Sequence, residues 1–120
     1  MAIRATANFP RNLEEIEAFL VRLEEAQAFD ALLERIAGEI LPNLERFPEM
    51  GADFLGRAPL STDGRALFER AAALAGRDVS LRHLVAGDYV LLYAVRKDAL
   101  YLLAIRHHRQ LSFDFTAHWP

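Results

Sequence analysis

The chain has 120 residues, of which 52% are hydrophobic and 26% are charged, and this composition predicts one compact soluble domain spanning residues 1–120. The lack of cysteine excludes disulfide scaffolds, thiolate zinc sites and cysteine nucleophiles, and it favours a reducing compartment. The formal net charge of −3 argues against a general polyanion binder, because phosphate contacts depend on clustered Lys and Arg. The sequence lacks a signal-peptide pattern and its apolar runs are too short to cross a bilayer, so we expect a cytoplasmic protein with no membrane partner.

The first half of the sequence predicts a short strand followed by a helical hairpin. Residues 2–7 alternate apolar and polar side chains, as a half-buried strand does. Asn12 is the predicted N-cap of a helix that runs from Leu13 to Ala26. A second amphipathic helix is expected to begin after Asp30 and to stop at Pro42. Because the connection is only a few residues long, the two helices should pack antiparallel.

The second half predicts an antiparallel meander. After an irregular connection rich in Pro and Gly, a short third helix is expected over residues 65–75. The apolar pattern then has a period of two over residues 79–85, 89–96 and 99–107, with turn residues between the runs. The middle run is apolar on both faces, so the hairpin should cover at least one of them. The predicted fold is therefore α+β, with the N-terminal short strand and antiparallel helical hairpin packed on a C-terminal antiparallel β-meander of three strands.

Four consecutive nitrogen-rich side chains, at residues 106–109, end the last predicted strand. Because neighbouring strand residues point to opposite faces, Arg106 and His108 are expected on one face and His107 and Arg109 on the other. This separation, without cysteine or a helical histidine pair, argues against a metal site. Such a cluster can clamp phosphate through arginine and move protons through histidine. The alternative is a strand that becomes hydrophilic on leaving the core, with His107 satisfied by a backbone or carboxylate partner.

Other sequence features point to packing rather than to chemistry. Tyr89 and Tyr93 can donate protons or stack on bases, but tyrosines at a period of two on a strand are more often packing partners. Gly51 and Gly56 lack the spacing of a nucleotide-binding loop, and the sequence has no Gly-x-Ser-x-Gly elbow. We therefore expect no cofactor.

Two short motifs in the C-terminal part resemble a known family. The middle strand begins with Gly87 and Tyr89 and has a second tyrosine at Tyr93. The last strand closes on the residues Ile105, Arg106, His107 and Arg109. With the order strand, helical hairpin and meander, these motifs make the chain resemble the RelE/ParE superfamily of bacterial toxins, and the resemblance is closest to the ParE, or plasmid-stabilisation, branch. The resemblance implies a RelE/ParE-like fold for the single domain.

The resemblance also implies a function. It suggests the toxin component of a type II toxin–antitoxin module, which inhibits growth and is neutralised by a cognate antitoxin protein. The ParE branch acts by binding a protein target such as DNA gyrase, whereas the RelE branch is an endoribonuclease that cleaves messenger RNA on the ribosome. The single lysine and the net charge of −3 favour the ParE-like interpretation. A RelE-like mRNA interferase, which alone would make the protein an enzyme, and a non-toxic interaction domain are the alternatives.

The two main interpretations assign roles to overlapping residues. In the ParE-like interpretation, the residues that bind a target or partner are Tyr89, Arg106, His107, Arg109 and Trp119. In the ribonuclease alternative, the catalytic candidates are His107, His108, Arg106, Arg109 and Tyr93. Trp119 belongs to an aromatic tail that is expected to dock on the body of the protein or on a partner. Whether the protein also forms a homodimer is left open.

Overall fold

The computed structural model describes residues 2–53 and 79–109 of the chain. Over these residues the architecture is α+β, as predicted, and none of the described helices is both long and apolar enough to cross a membrane. The elements are β1 (Ala2–Ala5), α1 (Asn8–Arg22), α2 (Gln27–Arg35), a π-helical segment (Ile36–Ile40), α3 (Leu41–Arg46), β2 (Ala52–Asp53), β3 (Ser80–Ala86), β4 (Tyr89–Val95) and β5 (Ala99–His107). The third helix predicted over residues 65–75 lies outside the described residues.

The described strands form one sheet in the order β1-β5-β4-β3-β2. β3, β4 and β5 are the predicted antiparallel meander. β1 lies parallel to β5, with Ala2 beside Ala99. β2, which the sequence did not predict, pairs with β3 opposite Arg82 and His83. A strand of two residues is too short to show a period, so its position depends on the register of β3 and not on a local pattern.

A β-bulge in β5 decides which side chains of this strand face the helices. The register of β5 against β4 shifts between Leu92 and Tyr93, which leaves Leu103 as an extra residue. One extra residue reverses the alternation of side chains beyond it, so His107 lies on the same face as Leu100. An uninterrupted strand would have turned His107 to the other face.

Apolar side chains are buried on both faces of the sheet, as predicted for β4. On one face they pack against the helices, and the buried members of this larger cluster include Phe9, Ile16, Leu20, Leu32, Ile36, Ile40, Leu44, Leu91, Tyr93, Leu100, Leu102 and Ile105. On the other face a smaller cluster contains Leu81, Leu92, Ala94, Leu103 and Ala104. Because each fully buried large aliphatic side chain contributes about 1.5–3 kcal/mol, the helix–sheet cluster is the main source of stability among the described residues.

The first helix begins at Asn8 and not at Leu13, and Asn12 is a helical residue and not the predicted N-cap. Asn12 is only 2% exposed, and its Oδ1 accepts hydrogen bonds from the N–H of Ile105 (3.1 Å) and from Nδ2 of Asn8 (3.1 Å). β1 ends at Ala5, so β5 continues past its neighbour with an unpaired edge, which the asparagine completes. The N-cap prediction was wrong because a partner from a distant strand outweighs the local preference of asparagine for a cap.

The first helix ends at Arg22, earlier than predicted. The N–H of Glu25 bonds to the carbonyl of Leu20 (2.8 Å) and the N–H of Glu24 bonds to that of Val21 (3.0 Å), which are the two hydrogen bonds of a Schellman motif. Glu24 has a φ of 59°, a conformation in which glycine is the usual residue. Because this position has glutamate and not the usual glycine, the sequence pattern does not indicate that the helix ends here.

The second helix begins at Gln27, before the predicted cap Asp30, and helical structure does not stop at Pro42. A π turn precedes the proline, in which the N–H of Leu41 bonds to the carbonyl of Ile36. Pro42 then lies in the first turn of α3, so the helical segment continues through the proline. The prediction that the proline ends the helix was therefore wrong.

The π turn also aligns a row of buried side chains. Leu32, Ile36, Ile40 and Leu44 are all buried and all belong to the helix–sheet cluster. In an uninterrupted α-helix a step of four residues rotates the side chain by about 40°, so a row with this spacing drifts around the axis. A turn that contains more residues reduces the drift, and the whole row can face the sheet.

Candidate functional site

The end of β5 and the turn between β3 and β4 meet at one end of the sheet. Tyr89, the first residue of β4, is paired with His107, the last residue of β5. The turn has Gly87 at a φ of 59°, as a two-residue hairpin of type II′ requires at its first position. The N–H of His108 bonds to the carbonyl of Asp88 (2.7 Å), which ties the chain leaving β5 to this turn. We call the following residues the terminal cluster: Tyr89, Arg106, His107, His108 and Arg109.

His107 is the buried centre of the terminal cluster and is only 5% exposed. Its ring lies 5.4 Å from that of Phe19 on α1 and meets the ring of Tyr89 edge-on at 5.1 Å. Its Nδ1 accepts a hydrogen bond from the N–H of Arg109 (3.1 Å), so the neutral ring carries its proton on Nε2. Burial lowers the pKa of His107, and the neighbouring His108 acts in the same direction. At neutral pH His107 is therefore an uncharged packing residue with a backbone partner.

His108 lies against His107 and not on the opposite side of the sheet, contrary to the prediction. The two rings are stacked, with centroids 4.7 Å apart. β5 ends at His107 and the chain is helical at residues 108–109, so the alternation of a strand no longer applies. The Nδ1 of exposed His108 lies 3.2 Å from the carbonyl oxygen of Asp88 and 3.6 Å from its Oδ1, so this nitrogen faces two acceptors and carries a proton.

The two arginines of the terminal cluster have different surroundings. Arg106 lies opposite Val90, on the face turned away from His107, as predicted. Its side chain reaches Glu15 on α1, with 3.4 Å between a guanidinium nitrogen and Oε2. This ion pair is partly exposed and is worth less than about 1 kcal/mol, but it neutralises the charge of the arginine. Arg109 is exposed, and its backbone N–H binds His107.

The tyrosines are separated by the structure. Tyr89 is half-buried beside His107, and burial raises its pKa, with the charges of Asp88 and Glu25 adding to the effect. Tyr93 is fully buried, about 13 Å further along β4. Its hydroxyl accepts a hydrogen bond from the N–H of Gly51 (2.8 Å), and burial raises its pKa despite that bond. The structure therefore does not bring Tyr93 to the terminal cluster, and Trp119 lies outside the described residues.

Three residues around the terminal cluster were not among the candidates from the sequence. Asp88 was identified only as a turn residue, although a two-residue turn opposite the end of β5 would have placed it beside His108. Glu15 and Phe19 lie within the helix predicted from Leu13 to Ala26, but the sequence indicated no role for them at the end of β5. Their contacts with β5 depend on how the helix packs on the sheet, which no local pattern shows.

The described residues show no arrangement suited to a metal ion, because no three His, Cys, Asp or Glu side chains among them come together as ligands. No known family model matches the chain, and no curated protein sequence is significantly similar to it. The interpretation of the terminal cluster therefore depends on its geometry and on the resemblance described above.

Proposed function

We propose that the protein is a ParE-like toxin of a type II toxin–antitoxin module, with a RelE/ParE-like fold, and that it inhibits growth by binding a protein target such as DNA gyrase. The observation that carries this proposal is the state of His107. It is buried, uncharged and bonded at Nδ1 by a backbone N–H, so it shapes a surface and cannot clamp a phosphate as a cation. The ion pair of Arg106 with Glu15 further reduces the attraction of the terminal cluster for polyanions.

The order of elements supports the same proposal. A strand, two consecutive helices and an antiparallel meander are the arrangement that the resemblance implies. Tyr89 and Arg109 lie at the accessible side of the terminal cluster, where a protein target can contact an aromatic ring and a guanidinium group. Both residue types are common among the side chains that dominate protein interfaces.

The surface also offers features suited to a cognate antitoxin. β1 is an edge strand of the described sheet, and three of its four residues are exposed, so it can accept an added strand. On the helices, Val21 is 56% exposed and Leu33 is 39% exposed, which provides apolar contacts for an amphipathic helix.

The proposal is tested with purified protein, plasmid DNA and gyrase. We expect inhibition of supercoiling or accumulation of cleaved DNA complexes, with RNA left intact in the same preparation. Arg109→Ala should weaken inhibition by about tenfold, as loss of an exposed interface arginine does. Arg4→Ala removes an exposed guanidinium from β1, opposite Tyr101 and about 20 Å along β5 from His107, and should leave inhibition unchanged.

One observation favours a second candidate, the RelE-like endoribonuclease. His108 is exposed, is oriented by Asp88 and is followed by exposed Arg109, so an acid or base and a phosphate-binding group are adjacent. Under this alternative, expression cleaves transcripts, and His108→Gln abolishes cleavage while thermal unfolding is unchanged. That result would replace the proposed mechanism. Normal growth on expression without an antitoxin would instead favour an interaction domain that is not toxic.

A further inference from the structure

A groove of about 930 Å³ lies at the other end of the sheet from the terminal cluster. It opens between the segment that follows α3 and the turn that joins β4 to β5, about 20 Å along β4 from Tyr89. We call it the basic groove. The residues used below are its apolar pair, Phe47 and Met50, and its charged residues, Arg46, Glu49, Arg96 and Lys97.

The basic groove exposes large apolar side chains that the core leaves uncovered. Phe47 is 60% exposed and Met50 is 45% exposed. Half-buried Val79 and Val95 continue this apolar surface along the sheet side of the groove. Aromatic and methionine side chains are enriched at the centres of protein interfaces, and a contiguous exposed group of this kind marks an interaction site.

The segment that follows α3 forms one wall of the basic groove and carries Phe47, and hydrogen bonds hold it in place. The N–H of Phe47 bonds to the carbonyl of Asn43 (2.7 Å), and the N–H of Met50 bonds to the carbonyl of Phe47 (3.0 Å). From the sheet, Arg82 donates to the carbonyls of Glu49 (3.1 Å) and of Gly51 (2.7 Å). Because these contacts fix the wall before a partner arrives, binding orders few further groups and loses less conformational entropy.

The charges of the basic groove have the opposite sign to the charge of the whole chain. Arg46, Arg96 and Lys97 are exposed at its rim, against one acidic residue, Glu49, whereas the chain has a net charge of −3. None of the three cations forms an ion pair with any residue in the described part of the chain. A smaller adjoining groove shares Arg96 and Lys97 and adds one charge of each sign, Arg4 and Asp98.

We propose that the basic groove binds an acidic segment of a partner protein that carries large apolar side chains. Carboxylates of the segment pair with Arg46, Arg96 and Lys97, and its apolar side chains pack on Phe47 and Met50. A single aromatic ring fits this partner better than a nucleic acid strand, which favours several stacking rings. Two copies of the chain facing each other through this groove would oppose like charges.

This inference concerns a face separate from the terminal cluster and does not depend on the proposed toxin function. The probe is a short fluorescein-labelled peptide in which glutamate alternates with leucine and phenylalanine, measured by fluorescence anisotropy against the full chain. Its counterpart has lysine in place of every glutamate. We expect the acidic peptide alone to bind, with an affinity that falls as the salt concentration rises and the Debye length shortens below about 10 Å.

Substitutions test whether the acidic peptide binds in the basic groove. The double substitution Arg96→Glu and Lys97→Glu should weaken binding at least about tenfold, because two attractive rim charges become repulsive. Phe47→Ala should weaken it by a similar factor through loss of the apolar anchor. Arg11→Glu is the matched control, since it reverses an exposed charge on α1 and should leave binding unchanged. Circular dichroism melts verify the fold, and the exposed Arg96 and Lys97 keep the test valid if Phe47→Ala fails to fold.

The inference is overturned if neither peptide binds, if the lysine peptide binds equally well, or if reversing Arg96 and Lys97 has no effect. A second copy would be the occupant if sedimentation shows a dimer that Phe47→Ala dissociates. A nucleic acid would be the occupant if a labelled oligonucleotide binds more tightly than the acidic peptide and loses affinity in the charge-reversed variant. Either finding would also overturn the inference.

Discussion

At the scale of single residues, two buried polar side chains link the elements of this fold. Asn12 completes the edge of β5 beyond β1, and His107 packs between α1 and β4 at the end of the sheet. Asn12 binds the backbone N–H of Ile105, which is distant in sequence, and His107 binds the backbone N–H of Arg109, two residues along the chain. Because both buried side chains are hydrogen-bonded, each contributes specificity as well as stability. His107 has the backbone partner that one of the two alternatives expected, but it is buried and does not lie where the strand becomes hydrophilic.

Asn12→Ala should destabilise the protein by about 1–3 kcal/mol, because the buried N–H of Ile105 loses its acceptor. The measurement is urea unfolding followed by circular dichroism, compared with Gln27→Ala, which removes an exposed amide at the start of α2. Equal effects of the two substitutions would show that the hydrogen bond from Ile105 to Asn12 contributes no more to stability than an exposed side chain does.

The burial of His107 predicts how stability depends on pH. Because its pKa is lowered in the folded state, the unfolded chain binds a proton more readily between the folded value and about 6.5. The contribution of neutral, buried His107 to the free energy of unfolding is therefore complete above about pH 6.5, and it is lost as the pH falls toward the pKa of His107 in the folded protein. His107→Phe keeps the contacts with Phe19 and Tyr89 but removes the titrating group. In unfolding experiments from pH 7 to pH 5, the variant should lose less stability than the original protein, and parallel curves would contradict this account.

At the scale of elements, the meander was predictable because its information is local. A period of two, with Gly87 and Asp88 between the runs, placed the bounds of the three strands within about one residue of those observed. The boundaries of the helices were harder to predict from the sequence. Asn12 is held by β5, Pro42 is accommodated by a π turn, and a glutamate occupies the position where glycine usually ends a helix.

The end of α1 provides a prediction about this glutamate. Glu24→Gly should stabilise the protein by about 1 kcal/mol, because glycine adopts the positive φ of 59° without the steric cost that a Cβ adds. Glu24→Ala removes the same carboxylate but keeps the Cβ, so it should give no gain. Thermal unfolding of the two variants separates backbone strain from charge, and equal melting temperatures would exclude the strain.

The terminal cluster was predictable in composition but not in arrangement. The four nitrogen-rich residues were evident from the sequence, yet the stacking of His107 on His108 results from the end of β5 at His107. The face that His107 occupies results from the bulge at Leu103, which local alternation does not indicate. The register of two strands, and not the residue types, decides which groups meet.

At the scale of the whole molecule, Tyr93 joins the sheet to the segment that follows the helices. Its hydroxyl bonds to the N–H of Gly51, and a Cβ added at Gly51 would lie 2.7 Å from that hydroxyl and from the carbonyl oxygen of His83. Gly51 directly follows Met50, and its carbonyl accepts a hydrogen bond from Arg82 in the wall of the basic groove, so the core of the protein and its proposed binding surface share one anchor.

Tyr93→Phe should destabilise the protein by about 1–3 kcal/mol by leaving the N–H of Gly51 buried without its acceptor. Gly51→Ala should also destabilise it, because a methyl group does not fit between backbone and ring. Since both substitutions disrupt one contact, the double variant should lose clearly less than the sum of the single losses. Denaturant unfolding of the four proteins measures this coupling, and simple additivity would show that the two residues act independently.

The parallel pairing of β1 with β5 has a consequence for the order in which the molecule assembles. Ala2 can pair with Ala99 only after all the residues between them have been synthesised, and closing so long a loop is entropically unfavourable compared with closing the hairpins of the meander. During synthesis the first strand must therefore wait, unpaired, until the last one has left the ribosome. Until then Asn12 also lacks the edge it completes, so the nascent protein completes this sheet only after β5 has been synthesised.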